Sequence, residues 1–346
     1  MEPASAVTAP KRGNPILVFL QRHRESGVVL VLMVICILLY FSSARTTFYS
    51  TANLQNLLLQ IALLSVFAIG ETIVILTSGI DLSLGSLIAF SGMVLAMTVT
   101  QLNTRMYTGS AIGLAIIFTF LVVLAIGALH ATLIHRLRLP PFVVTLASLT
   151  ILRSQSLLMN KQLPVSLSEF SFLTWLANGR LFERSFFPIP VPVVIVGFLA
   201  VVMHVLLKYS RIGRYVYSVG SNEEATRLSG INVGRIKLFA YGASALLGGV
   251  AGVLYAGYGG QGDPLSGTGY ELNAVAAAVI GGANLRGGQG SIVGTLLGAC
   301  LLNVILSGIN LTIANPSLWE GTVVGGVLLL AVLTTALQQR DKAKEA

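Results

Sequence analysis

Charge is scarce in this chain. Of 346 residues only 10% are Asp, Glu, Lys or Arg, against about 25% in an ordinary soluble domain. So few charges cannot cover a water-facing surface, and a 54% hydrophobic content with a mean hydropathy of +0.82 places the chain in a bilayer. Cysteine is nearly absent as well. Cys36 and Cys300 both sit in apolar runs, which excludes a disulfide framework or a thiolate metal site. The four histidines, His23, His130, His135 and His204, fall on separate segments. There is no His-Glu-x-x-His helix, no Gly-x-Ser-x-Gly elbow and no Gly-x-x-x-x-Gly-Lys-Ser/Thr loop. These gaps exclude a zinc hydrolase, a serine hydrolase and a P-loop ATPase, so no catalytic residue, metal or cofactor is expected. Aromatics are not interleaved with basic residues either, and the formal charge of +9 is therefore no nucleic-acid footprint.

Long apolar runs are abundant instead. About 20 apolar residues cross a hydrocarbon core of about 30 Å. Such runs occupy 27–41, 54–77, 83–101, 110–134, 142–159, 189–208, 237–258, 272–282, 290–310 and 320–336. The expected fold is all-α and polytopic, with about ten transmembrane segments. The run 272–282 is too short to cross as a helix and ends at Gly281-Gly282, so it is either a broken helix or an oblique one covered by protein. With the N-terminus inside, the inner loops and tails hold 16 Lys and Arg, and the outer loops hold five: Arg45, Arg105, Lys161, Arg180 and Arg184. That bias puts both termini in the cytoplasm. The chain divides into a cytoplasmic tail 1–26, a transmembrane domain 27–336 with a cytoplasmic loop 209–236, and a cytoplasmic tail 337–346. Tyr40, Phe41, Tyr255, Tyr258 and Trp319 fall at the outer ends of spans, where amphipathic rings prefer the headgroup level. The longest outer loop, 160–188, is a candidate cap over the outer mouth.

Three places carry polar groups that a bilayer helix does not need. Glu71 and Arg153 lie inside apolar spans, and intramembrane charges are functional hypotheses by default. Their separate depths argue against a direct ion pair. Each is either a structural polar contact or part of a wet pathway, with Arg153 able to reach backbone carbonyls. The block Ser78-Gly-Ile-Asp-Leu-Ser-Leu-Gly-Ser86 is polar between two spans. Asp81 and Ser83 suit a helix N-terminus, while Gly79 and Gly85 permit a tight turn. It reads as a capped turn or as a mobile re-entry beside a gate. A weak echo of it, with a two-residue insertion, is Gly281-Gly-Ala-Asn-Leu-Arg-Gly-Gly-Gln-Gly-Ser291, which includes Asn284.

The strongest signal is the basic polar loop from Lys208 to Lys237. Its centre reads Gly213-Arg-Tyr-Val-Tyr-Ser-Val-Gly-Ser-Asn-Glu-Glu-Ala-Thr-Arg-Leu-Ser-Gly-Ile231. Gly220, Ser221 and Asn222 form a break and cap. Glu223 and Glu224 occupy the first turn, where their charge suits the helix dipole. A short helix runs through Ala225 to Leu228 and Gly230 stops it. The result is a short amphipathic helix projecting from the membrane, a shape that seats in a groove on another protein.

At this loop the chain resembles the permease subunits of bacterial ATP-binding cassette importers. These carry a Glu-Ala-Ala-x-x-x-Gly pattern on a cytoplasmic coupling helix. Glu224, Ala225 and Gly230 match it, and Thr226 replaces the second Ala. Three further blocks narrow the resemblance to the ribose/monosaccharide and autoinducer-2 type of permease. They are Thr77 to Ser86, Leu139-Pro-Pro-Phe-Val-Val-Thr-Leu-Ala-Ser148, and Val279 to Thr295. The resemblance implies an inner-membrane subunit with no enzymatic activity, paired with a second copy or a paralogue. Its partners would be separate ATPase subunits on the coupling helix and a periplasmic sugar-binding protein on the outer face. Residues 221–225, Leu228 and Gly230 would then couple to the ATPase, and Glu71, Asp81, Ser83, Arg153 and Asn284 are candidates for the pathway or gate. A secondary sugar transporter is the competing reading, but it gives no reason for a docking helix.

Overall fold

The computed structural model describes residues 24–183 and 187–345. Nearly all of the expected N-terminal tail 1–26 lies outside the described residues, as do Arg184 and Phe186 of the 160–188 loop. The chain is helical nearly throughout. Helix α1 (Arg24–Tyr40) and a single turn α2 (Arg45–Phe48) lead into α3 (Thr51–Leu76). Then come α4 (Leu84–Asn103), α5 (Thr108–Arg136), α6 (Pro141–Met159), α7 (Ser171–Asn178), α8 (Val191–Tyr209), α9 (Arg211–Ser221) and α10 (Glu223–Leu228). The rest is α11 (Val233–Gly259), α12 (Tyr270–Ile280), α13 (Ile292–Thr312) and α14 (Ser317–Glu345). Among the described residues seven helices are long and apolar enough to cross a membrane: α3, α4, α5, α6, α8, α11 and α13. Three shorter apolar helices lie at Ser26–Tyr40, Tyr270–Ile280 and Ser317–Leu333.

Local chemistry fixes the helix starts. The Ser50 hydroxyl accepts from the Asn53 amide at 3.3 Å and Asn232 caps α11 through the Arg235 amide at 3.1 Å. Pro141 and Pro192 open α6 and α8 at the first turn, where a missing N–H leaves no carbonyl unpaired. The short run 272–282 is indeed a short helix, α12, and it ends at Gly281.

Helices α3, α4 and α11 form the centre, with 83%, 72% and 72% of their apolar stretches buried. Helices α5, α6 and α8 bury only 28%, 22% and 28% and turn the remainder outward. Packing against α11 is close because small residues let backbones meet. A Cβ added at Gly127 of α5 would press into the Tyr241 carbonyl oxygen and the Ala245 methyl. The 160–188 loop folds back on the bundle. Its β1 (Val165–Ser166) pairs antiparallel with β4 (Gln261–Gly262), and β2 (Arg180–Leu181) with β3 (Ile189–Pro190). Leu173 and Ala177 of α7 are buried against the end of α11.

One expectation needs correction. Tyr255 does not sit in a headgroup belt. Its ring packs with Tyr270 at 5.3 Å and Phe67 at 6.5 Å inside the bundle. The last helix, α14, continues past its apolar part, Ser317–Leu333, to Glu345.

Candidate functional site

The polar loop after α8 holds two helices, not one. Ser210 caps α9 by accepting from the Gly213 amide at 3.0 Å. Asn222 ends α9 and caps α10, its side-chain oxygen accepting from the Ala225 amide at 2.9 Å. Gly230 follows at φ +82°, so the stop read from sequence is real and needs a residue without a Cβ. The break itself falls at Asn222. Gly220 and Ser221 are the last residues of α9, and the Ser221 hydroxyl donates to the Tyr217 carbonyl at 2.8 Å. Gly220 is present for close approach: an added Cβ there would collide with the Leu76 carbonyl oxygen and the Gly288 amide.

Glu223 and Glu224 do different work. Glu223 accepts from Lys237 at 2.8 Å, which ties α10 to α11, while Glu224 pairs with Arg227 on the exposed face. Ala225 and Leu228 are exposed, and Leu228 keeps 78% of its surface free. Thr226, where the motif has Ala, is the one buried residue of α10. Its hydroxyl lies 2.9 Å from that of Ser218 and donates to the Asn222 carbonyl at 2.7 Å. The substituted side chain therefore pins α10 to α9.

Beneath this pair of helices three chain segments meet. Ser78, in the left-handed region at φ +61°, donates to the Gly220 carbonyl at 3.0 Å and the Arg286 carbonyl at 2.8 Å. The Gly288 amide donates to the Leu76 carbonyl at 3.1 Å. The Tyr217 hydroxyl donates to the Gly290 carbonyl at 2.9 Å. Burial pushes the Tyr217 phenol above its ordinary pKa, so this donor keeps its proton at physiological pH. The two loops that echo one another in sequence, 78–86 and 281–291, are thus joined by α9 into one knot. Asn284 shapes the second loop by accepting from the Arg286 amide at 3.1 Å, and its own amide donates to the Gln289 carbonyl at 2.9 Å.

Glu71, Asp81 and Ser83 lie together just inside the knot, all buried. Both Glu71 carboxylate oxygens accept from the Asp81 amide, at 3.2 and 3.3 Å. Asp81 Oδ1 accepts from the Ser83 amide at 3.1 Å and the Ser83 hydroxyl at 2.5 Å, while Oδ2 accepts from Ser244 of α11 at 3.1 Å. Asp81 does satisfy a free amide. Ser83 does not: it precedes α4 in helical conformation and makes no cap bond. Nor do Gly79 and Gly85 supply a left-handed turn, which falls on Ser78. They admit Tyr241 and Glu271 at close range. Arg153 stands apart from this group. It donates to the Pro264 and Ser266 carbonyls at 2.9 and 2.8 Å, clamping the loop before α12 and making no contact with Glu71.

Sequence reasoning passed over Ser78, Tyr217, Gly288 and Ser244. Ser244 had a signal, a hydroxyl amid small apolar residues, but its partner is 163 positions away.

A bundle of this kind, with seven helices among the described residues long and apolar enough to cross a membrane and a capped helix pair knotted to two of its loops, defines a multi-pass membrane protein. A family model described as branched-chain amino acid transport system / permease component matches residues 53–333. The ribose import permease protein of Escherichia coli strain K12 is 36% identical over 319 residues, which is 91% of this chain and 94% of that protein. The ribose import permease protein of Bacillus subtilis strain 168 is 34% identical over 308 residues, covering 89% and 90%. The xylose transport system permease protein of E. coli K12 is 28% identical over 368 residues, covering 90% and 92%. No solved structure matches the chain. The chain belongs to the ribose-type permease family of ATP-binding cassette importers.

Proposed function

We propose that the chain forms the translocation pathway of an ATP-driven importer for a neutral monosaccharide. A soluble binding protein delivers the sugar at the outer face, and separate ATPase subunits receive the α10 helix. Two permeases, identical or paralogous, enclose one pathway. The chain crosses the inner membrane ten times and keeps both termini in the cytoplasm. The observation that carries this reading is the knot of residues 76–81, 217–222 and 286–290. A push on exposed Ala225 and Leu228 reaches α3, α12 and α13 through hydrogen bonds and packed backbone, with no flexible linker between. Coupling then requires only that ATP binding favour one arrangement of these helices over the other.

The test is uptake beside ATPase turnover in proteoliposomes containing the whole complex. Gly230→Val forces a β-branched residue into left-handed backbone, at about 1–2 kcal/mol, and shifts the end of α10. Ala225→Arg fills the exposed face. Both variants are expected to insert normally and to lose most ATP-driven uptake. Wild-type uptake at normal expression would reduce α10 to a solvated loop.

Orientation is tested separately. In a background of Cys36→Ser and Cys300→Ala, the variants Asn103→Cys and Lys161→Cys are expected to react with an impermeant thiol reagent applied to intact spheroplasts, while Asn222→Cys stays unlabelled. Labelling at residue 222 would reverse the topology.

A further inference from the structure

Helices α3, α12 and α13 share a second meeting place at the end of the bundle opposite the knot. Gln60 stands 16 residues before Leu76 on α3, about 24 Å along the helix. There a cavity of about 310 Å3 opens, within the range of small-molecule sites of about 300–1,000 Å3. Six carboxamides line it: Asn53, Asn56 and Gln60 from α3, Asn273 from α12, and Asn303 and Asn310 from α13. Among the described residues Asn56, Asn273 and Asn310 make no side-chain hydrogen bond, and Gln60 makes only a long one of 3.4 Å to Tyr258. In hydrocarbon each unpaired amide would cost several kcal/mol, so this cavity holds water or a polar ligand and not an acyl chain. One wall is aromatic, where the Phe67 and Tyr270 rings stack at 6.0 Å with Tyr255 beside them. Gln60, Tyr255 and Tyr270 also line a neighbouring cavity of about 180 Å3 that continues toward Gln261 and Asp263.

The geometry points to this amide-lined cavity as a passage site for an uncharged polyhydroxylated ligand, a monosaccharide. The inference rests on the importer reading given above. A carboxamide offers donors and acceptors together and answers a hydroxyl in either role, while the ring wall suits the C–H face of a sugar. Neither cavity is lined by Lys, Arg or His, and the ionisable groups on them include the carboxylates Glu320 and Asp263. A phosphorylated sugar, or an amino acid presenting its carboxylate, finds no counter-charge there. The amides stand on the same three helices that enter the knot, so the movement that α10 transmits would change the spacing of the groups that hold the sugar.

Uptake of radiolabelled D-ribose, D-xylose, other neutral pentoses and hexoses, and L-leucine is measured in proteoliposomes with the ATPase subunits and the soluble binding protein present. Asn303→Leu and, separately, Asn56→Leu are expected to lower uptake of the carried sugar by about tenfold, the scale of one lost hydrogen bond. Phe198→Ala, on an exposed position of α8, is expected to retain it. In the otherwise cysteine-free complex, Asn56→Cys is expected to be alkylated more slowly when that sugar is present. Sugar uptake at wild-type rate by both leucine variants, or alkylation indifferent to sugar, would overturn the site while leaving the importer reading intact. A wild-type complex that carries L-leucine, or none of the neutral sugars, would overturn both.

Discussion

Gly220→Ala is expected to abolish ATP-driven uptake, although it adds a single methyl group. That methyl would press into the Leu76 carbonyl oxygen and the Gly288 amide at once. Both are backbone atoms of turns already fixed by their own hydrogen bonds, so neither can rotate away as a side chain would. Overpacking of this kind costs about 1–3 kcal/mol, and the upper end applies where backbone meets backbone. The Gly288-to-Leu76 and Ser78-to-Gly220 bonds would open together. The chain is expected to insert, to melt at lower temperature in detergent, and to leave ATP turnover disconnected from uptake. Gly230→Ala is the informative comparison. Nothing lies within 4 Å of a Cβ there, so only left-handed strain of about 1–2 kcal/mol remains. Measured melting temperatures should therefore fall further for the residue 220 variant. Equal or reversed effects would mean that the knot is looser than its geometry states.

Glu71→Ala is expected to be the most damaging change within the spans. It removes both acceptors of the Asp81 amide and leaves a void in a fully buried site. An unpaired buried N–H costs about 1–3 kcal/mol, and the lost volume adds to it. Loss of folded protein, or a fall in stability of about 3 kcal/mol, should follow. Glu71→Gln keeps one acceptor oxygen at the same reach and is expected to fold and transport. Thermal unfolding of the two variants separates the explanations. If Gln is as harmful as Ala, the carboxylate charge matters and not its hydrogen bonds.

Much of this was legible in the sequence where the determinant is local. The ends of α10 could be read because Asn222 and Gly230 act on their own neighbours, a cap and a left-handed stop. The short α12 could be read from Gly281-Gly282. Helix α9 was missed because Gly220 reads as part of a break, whereas Gly213 and Gly220 both sit in the helix to admit another backbone. Arg153 could be assigned to backbone carbonyls but not to those of Pro264 and Ser266, since a carbonyl leaves no mark in a sequence. The amide-lined cavity was missed for a related reason. The carboxamides are scattered along the chain, and only the packing of α3, α12 and α13 brings together positions from 53 to 310.

The knot also bears on how the protein is made. Its three strands of backbone come from residues 76–81, 217–222 and 286–290, so a chain emerging from the ribosome has α10 long before it has Gly288 and Gly290. Until those glycines arrive, Ser78 lacks the Arg286 carbonyl, Tyr217 has no acceptor in Gly290, and the docking helix rests on a half-built footing. In a nascent chain α10 therefore precedes its support, and the footing is complete only once Gly290 has been made.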